Sequence, residues 1–179
     1  MDNKERVKEV NMASMPRRIA KFHKVSKEQF WGAMAEERQF PAESAYDNLS
    51  LPKRATKGSA GYDFYSPFKF ILKPGQTIKI PTGIRCEMNP DYVLMAFPRS
   101  GLGFKYQANL ANGTGILDSD YYYSDNEGHI MIKLVNRGDK EFSVKEGEGF
   151  AQGIFLPYGI TVDDDCDGVR NGGFGSTTD

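Results

Sequence analysis

The chain has 179 residues, with 23 Lys and Arg against 24 Asp and Glu, a net charge of -1 and two cysteines. That length gives one domain with a sizeable core plus an extension of a few tens of residues, and the near-neutral balance excludes any obvious polyanion partner such as duplex nucleic acid while leaving room for a small anion in a local pocket. Cys86 and Cys166 stand far apart without metal-ligand spacing, and no apolar run resembles a signal peptide or membrane span, so a reducing, cytoplasmic setting without a membrane partner is expected.

Residues 1–15, MDNKERVKEVNMASM, are polar with no sustained period and are expected to be mobile. The stretch VSKEQFWGAM then carries a helix-start signature. Ser26 can cap the N–H of Gln29 while Gln29 reaches back, and Val25 stands where it would staple onto Phe30. The expected helix, residues 27 to 38, lays Phe30 and Met34 on one face. RQFPAESAYDNLSLPKRATKGS follows, rich in Pro, Ser and charge, and reads as a linker or long excursion.

From Ala60 the texture changes to short β-rich runs at intervals of about ten residues: FKFIL, TIKIPTGI, YVLMAF, HIMIKLV, EFSV and FAQGIFL. KPGQ, MNPD and NRGDK separate some of them as turns, KPGQ placing Pro and Gly where a type II turn wants them. No alternation of strand with long helix occurs, so the expected fold class is all-β, a compact antiparallel sandwich or barrel carrying one short N-terminal helix.

Five clusters of Gly, Asp, Ser and Arg interrupt this pattern. SAGYDFYS places Asp63 after a glycine. PRSGLG sets Arg99 and Ser100 before two glycines, a combination suited to gripping phosphate oxygens by side chain and backbone together. NGTGILDSDYYY holds Asp118 and Asp120 beside Tyr121, and EGEGFAQGIF offers Gln152 as a neutral hydrogen-bonding group. In the final VRNGGFGSTTD, glycines permit close backbone approach to an anion, Ser176 and Thr177 supply hydroxyls, Arg170 a planar fork and Phe174 a ring to stack. Taken singly, each has a bland reading as a turn or a frayed end. There is no Walker A loop or Rossmann fingerprint; DDDCDG at 163–168 imitates an EF-hand start but has Phe174 where the twelfth-position Glu belongs; His23 and His129 lack partners at ligand spacing.

In order and together, the clusters resemble the five motifs of the trimeric dUTP diphosphatases, the dUTPases: AGYDFYS, PRSGLG, GILDSDYY with its upstream AN, GEGFAQGIF and RNGGFGST, spanning residues 51 to 178. The resemblance implies a homotrimer of jelly-roll-like β-subunits with active sites built from all three chains. It further implies hydrolysis of dUTP to dUMP and pyrophosphate with Mg2+, limiting uracil incorporation into DNA and supplying dUMP for thymidylate synthesis. Asp118 matches the carboxylate that activates water, and Asp63 the one that holds Mg2+ through its waters. Arg99, Ser100, Gly101 and Gln152 match phosphate-contacting positions. Asn112 and the hairpin backbone through Gly115 match the uracil site, where cytosine would present a donor against a donor. Tyr121 matches the ring beneath the deoxyribose that would clash with a 2′-hydroxyl. Phe174 would cover the uracil, and Arg170, Gly175, Ser176 and Thr177 would wrap the outer phosphates as a closing lid.

The expected organisation is therefore a mobile segment at 1–15, an extension with strand and helix at 16–50, the β-domain at 51–162 and a lid tail at 163–179. Departures from the family pattern are Leu117 before Asp118, extra residues in YYSDNEGH after Tyr121, Gly149 in place of a basic residue, and Asn171 where motif five has a glycine. Two rival readings stand beside this one. A dCTP deaminase shares the fold, but Lys133 stands where its deaminating glutamate would be; a non-catalytic nucleotide sensor or protein-binding module would reuse the fold without turnover.

Overall fold

A computed structural model of the chain describes residues 17–170. Its strands are β1 (Ala20–Lys24), β2 (Lys53–Arg54), β3 (Tyr62–Tyr65), β4 (Phe70–Leu72), β5 (Thr77–Pro81), β6 (Ile84–Met88), β7 (Tyr92–Pro98), β8 (Ala108–Leu110), β9 (Gly115–Leu117), β10 (Met131–Asn136), β11 (Phe142–Val144) and β12 (Gly149–Pro157). Two helices accompany them, α1 (Lys27–Glu36) and α2 (Ser100–Tyr106). Every strand pair is antiparallel. The largest sheet runs β2-β3-β12-β7-β9, a second runs β5-β10-β8, and β1-β6 and β4-β11 pair separately. Strands such as β8, β9 and β11 bury alternate residues, as a sheet with one wet face requires. Their inward faces meet in one core, in which Phe64, Leu94 and Phe150 of the large sheet join Ile80, Ile132 and Leu134 of the second. The expected all-β sandwich with a short N-terminal helix is what forms.

Several elements differ in detail from the sequence reading. TIKIPTGI divides into β5 and β6 because Gly83 takes φ 73°, a left-handed turn that L residues avoid; a Cβ there would also lie 2.4 Å from Leu49 Cδ1. PRSGLG is not a loop but the start of α2, with Gly103 N–H donating to Arg99 O at 3.0 Å. Its glycines favour helix poorly. Leu102 and Tyr106 hold it by packing against the core. KPGQ forms the expected turn, with Gly75 at φ 77° and Gln76 N–H on Lys73 O.

Helix α1 ends at Glu36, two residues short of expectation, and buries Phe30, Ala33 and Met34. Ser26 Oγ accepts from Gln29 N–H at 3.1 Å, as the cap requires. The reciprocal half is different: Ser26 N–H donates to Glu127 Oε2 at 2.8 Å and Ser26 Oγ–H to Glu127 Oε1 at 2.6 Å, so a carboxylate from the segment after Tyr121 does what Gln29 was expected to do. Gln29 turns instead to His129, 3.3 Å from its Nδ1.

His129 is wholly buried, and Gly83 N–H donates to its Nε2 at 2.7 Å. Nε2 therefore keeps its lone pair, and the neutral ring carries its proton on Nδ1, the nitrogen that faces the Gln29 side-chain amide. Burial pushes the imidazole down to about 4 from its ordinary 6.5; Glu127 opposes that shift and Lys79 adds to it. Between those values the unfolded chain binds a proton that the folded chain refuses, so stability falls as pH drops through that window. The expected loss is about 3 kcal/mol by pH 4, read by urea denaturation at pH 7, 5 and 4. Burial would raise the Glu127 carboxyl, but the Ser26 hydrogen bonds and the charge of Arg85 hold it below its usual range, so it too loses its contribution on acidification. Equal stability at pH 7 and 4 would show that His129 titrates as if exposed.

Candidate active site

One group of motif residues is assembled by register across the large sheet. Asp63 on β3 faces Gln152 on β12, and Gln152 faces Phe97 on β7. Directly opposed residues project to the same face, so the two polar side chains are neighbours although 89 positions separate them in the sequence. Arg99, just past β7, places Nε 3.3 Å from Asp63 Oδ1 and donates from Nη1 to Gly149 O at 3.2 Å. A Cβ at position 149 would lie 2.9 Å from Arg99 Nη1. The glycine that departs from the family pattern is thus the residue that lets the Arg99 guanidinium reach the backbone of β12. Gln152 Nε2 donates to Pro98 O at 3.3 Å, and Gly61 makes room for its Oε1, which a Cβ would approach to 2.5 Å. Ser100 and Gly101 begin α2 beside this group.

The second group is built on the turn that leads from β8 to β9, two strands of different sheets. Gly113 turns it with φ 77°, and Gly113 N–H donates to Leu110 O at 3.0 Å. A small cavity lies against this turn, lined by Leu110, Asn112, Gly115, Leu117, Ile130 and Lys133. Gly115 packs on Ala96, whose Cβ a side chain at 115 would approach to 3.1 Å. β9 then delivers Asp118 to the head of a 3-10 turn, Ser119–Tyr123.

Arg170, 52 residues on, returns to that turn. Its Nη2 pairs with Asp118 Oδ2 at 2.5 Å and its Nε with Asp120 Oδ1 at 3.0 Å, so one planar fork bridges two carboxylates. The guanidinium also stands 6.0 Å from the Tyr121 ring centre. Tyr121 itself is buried. Its hydroxyl donates to His129 O at 2.7 Å and accepts from Asn126 Nδ2 at 2.8 Å. Burial raises its pKa, outweighing Asn126 and Arg170, so it is a neutral phenol at physiological pH.

The two groups do not meet within one chain. Asp118 follows Leu117, which faces Leu94, whereas Asp63 shares a row with Phe97 three strands away from β9. Standard strand dimensions put the carboxylates about 13 Å apart along the strands and about 14 Å across them, roughly 20 Å in all. Phe174, Gly175, Ser176 and Thr177, like residues 1–15, lie outside the described residues. Sequence reasoning gave no role to Lys133 in the cavity wall, Asn126 on the Tyr121 hydroxyl or Glu127 on Ser26; the pairing of β10 with β8 brings the first there and the return of the segment after Tyr121 the other two, and neither is visible in the sequence.

The recess lined by Asn112 and Lys133 thus lies on the strand that leads to Asp118, with Arg99 and Gln152 in a separate group, and a family model for dUTPase matches residues 47–178. The chain belongs to the dUTPase family. A deoxyuridine 5′-triphosphate nucleotidohydrolase of Lactococcus lactis is 37% identical over 145 residues, covering 78% of this chain and 97% of that protein. The dUTPase of Streptococcus mutans has the same fold at a TM-score of 0.60 and 29% identity, over 80% of this chain and 98% of its own. A mutant dUTPase from phage phi11 of S. aureus, solved to show how a structural Mg(II) ion is coordinated, aligns at a TM-score of 0.60 and 18% identity, covering 84% and 98% of the two chains.

Proposed function

We propose that this dUTPase family member hydrolyses dUTP to dUMP and pyrophosphate, with Asp118 orienting and deprotonating the attacking water. The observation that carries the reading is the run from the β8–β9 turn through β9, which joins the cavity lined by Asn112 and Gly115 directly to Asp118 and Tyr121. A base held in that recess would set its sugar toward Tyr121 and its α-phosphate toward Asp118, and fixed geometry of this kind supplies most of what phosphoryl transfer needs. Asn112 and the backbone through Gly115 would read the uracil edge. Arg99, Ser100, Gly101 and Gln152 would hold phosphate oxygens, and Arg170 would exchange its two carboxylates for phosphates, followed by Phe174, Gly175, Ser176 and Thr177 as the lid.

The roughly 20 Å between Asp118 and Asp63 is far longer than a triphosphate, which supports sites shared between copies and hence the homotrimer. Among the described residues no three His, Cys, Asp or Glu side chains converge. Asp63, a partly exposed carboxylate beside Gln152, would hold through water an Mg2+ that arrives on the triphosphate, an ion that needs no protein cage, once Arg99 has turned from it to the phosphates. Bound there, it would neutralise phosphate charge. Lys133 in the cavity wall argues against deamination, since an ammonium has no carboxylate chemistry to offer.

The test is pyrophosphate release from dUTP, dCTP, dTTP and UTP, each with Mg2+ and with a chelator, beside an assay for base deamination. Release from dUTP alone, abolished by chelation, is expected. Deamination of dCTP would move the chain to the rival enzyme class, and binding of dUTP without release would make it a sensor.

A further inference from the structure

The segment after Tyr121 does not simply lengthen a hairpin; it returns and closes on the tyrosine. Asn126 Nδ2 donates to the Tyr121 hydroxyl at 2.8 Å, and that hydroxyl donates in turn to His129 O at 2.7 Å. Asn126 is itself fixed: its Oδ1 accepts from Gly128 N–H at 3.2 Å and its carbonyl from His129 N–H at 3.0 Å. Glu127 and Gly128 both take positive φ, 59° and 68°, which folds the chain so tightly that a Cβ at 128 would stand 2.7 Å from Tyr121 O. The outside of the turn is held as firmly. Arg85 stacks 3.7 Å from the Tyr122 ring centre and donates from Nη2 to Tyr122 O at 2.6 Å, while Ser26 at the head of α1 grips the Glu127 carboxylate with both its N–H and its hydroxyl.

We infer that Asn126 is a positioning residue that fixes the plane of the Tyr121 ring and so sets how strictly the site rejects a ribonucleotide. The inference rests on the proposed placement of Tyr121 beneath the sugar. A ring that discriminates one hydroxyl by contact must not yield by a few tenths of an ångström, and a ring anchored at its far end by two hydrogen bonds pivots less than one held by packing alone. Asn126 acts through Tyr121 and touches no reacting atom.

The experiment compares kcat/KM for dUTP with that for UTP in the full chain. In Asn126→Ala the dUTP:UTP ratio is expected to fall about tenfold, the scale of one lost hydrogen bond. Asn126→Asp keeps the acceptor for Gly128 N–H but has no hydrogen for the tyrosine, so it is expected to do the same and carries the test should the alanine variant not fold. Tyr121→Phe, which removes both hydrogen bonds of the hydroxyl, should lower the ratio at least as far, and adding Asn126→Ala to it should lower the ratio no further. A role confined to stability would reduce both substrates in parallel and leave the ratio at the wild-type value, which overturns the inference. Tyr121→Leu separates the two levels: if it collapses the ratio while the Asn126 variants do not, only the positioning role falls; if it leaves the ratio unchanged, the placement of Tyr121 falls and the inference with it.

Discussion

Asp118→Asn is expected to lower the rate of dUTP hydrolysis about 10³-fold while a non-hydrolysable dUTP analogue binds at least as tightly as before. The magnitude is the middle of the range for losing a general base. Asparagine keeps the shape and one oxygen, so β9, the 3-10 turn and the cavity wall need not move. It also keeps an acceptor for Arg170 Nη2, while Asp120 holds Nε as before. Removing one negative charge beside a bound triphosphate lowers repulsion, so binding has no reason to weaken. Single-turnover pyrophosphate release and analogue titration read the two quantities separately. A turnover within tenfold of the parent would take Asp118 out of the proton-transfer step and leave it as an anchor for Arg170.

The candidate site residues were readable because each lies in a short motif whose composition is wrong for its surroundings: glycine, aspartate and serine amid β-branched and aromatic runs. Their assembly was not. Asp63 and Gln152 are neighbours only through the register of β3 on β12, and register depends on long-range pairing that no local window contains. The same ignorance hid β3, β8 and β9, since YDFY, ANL and GIL are too short to show a period of two and sit inside glycine-rich clusters that read as turns. Helix α2 was hidden for a related reason. Its glycines and serine say loop, and tertiary packing of Leu102 and Tyr106 overrides that preference.

The N-terminal cap shows where local reasoning ends. Ser26 and Gln29 have the spacing of a capping box, and half of the box forms. The other half is taken by Glu127, 101 residues away, because a charged carboxylate accepts from Ser26 N–H and Oγ–H more strongly than a neutral amide can. That freed Gln29 for His129, whose only other ring nitrogen is engaged by Gly83 N–H. Extension, β5–β6 turn and post-Tyr121 segment are therefore one hydrogen-bonded unit.

Ending the chain after Val169 is expected to lower dUTP turnover by 10²-fold or more, an estimate of what a phosphate-wrapping cation and a water-excluding lid contribute together. Thermal unfolding should move by less than about 2 °C and the assembly should keep its size, because among the described residues every buried core residue precedes position 169 and the bridge from Arg170 joins carboxylates that are about half exposed. The cut removes two things at once, the residues 171–179 and the cation that holds Asp118 and Asp120, so Arg170→Lys in the full chain is the necessary companion. A lysine has no planar fork and cannot bridge both carboxylates in one geometry. If the arginine's geometry carries the effect, the lysine variant should recover little of what the cut removes; if it recovers nearly all, the tail beyond Arg170 or simple charge is responsible. An uncut rate from the shortened chain would return the whole tail to a frayed end and leave Arg170 as a surface ion pair.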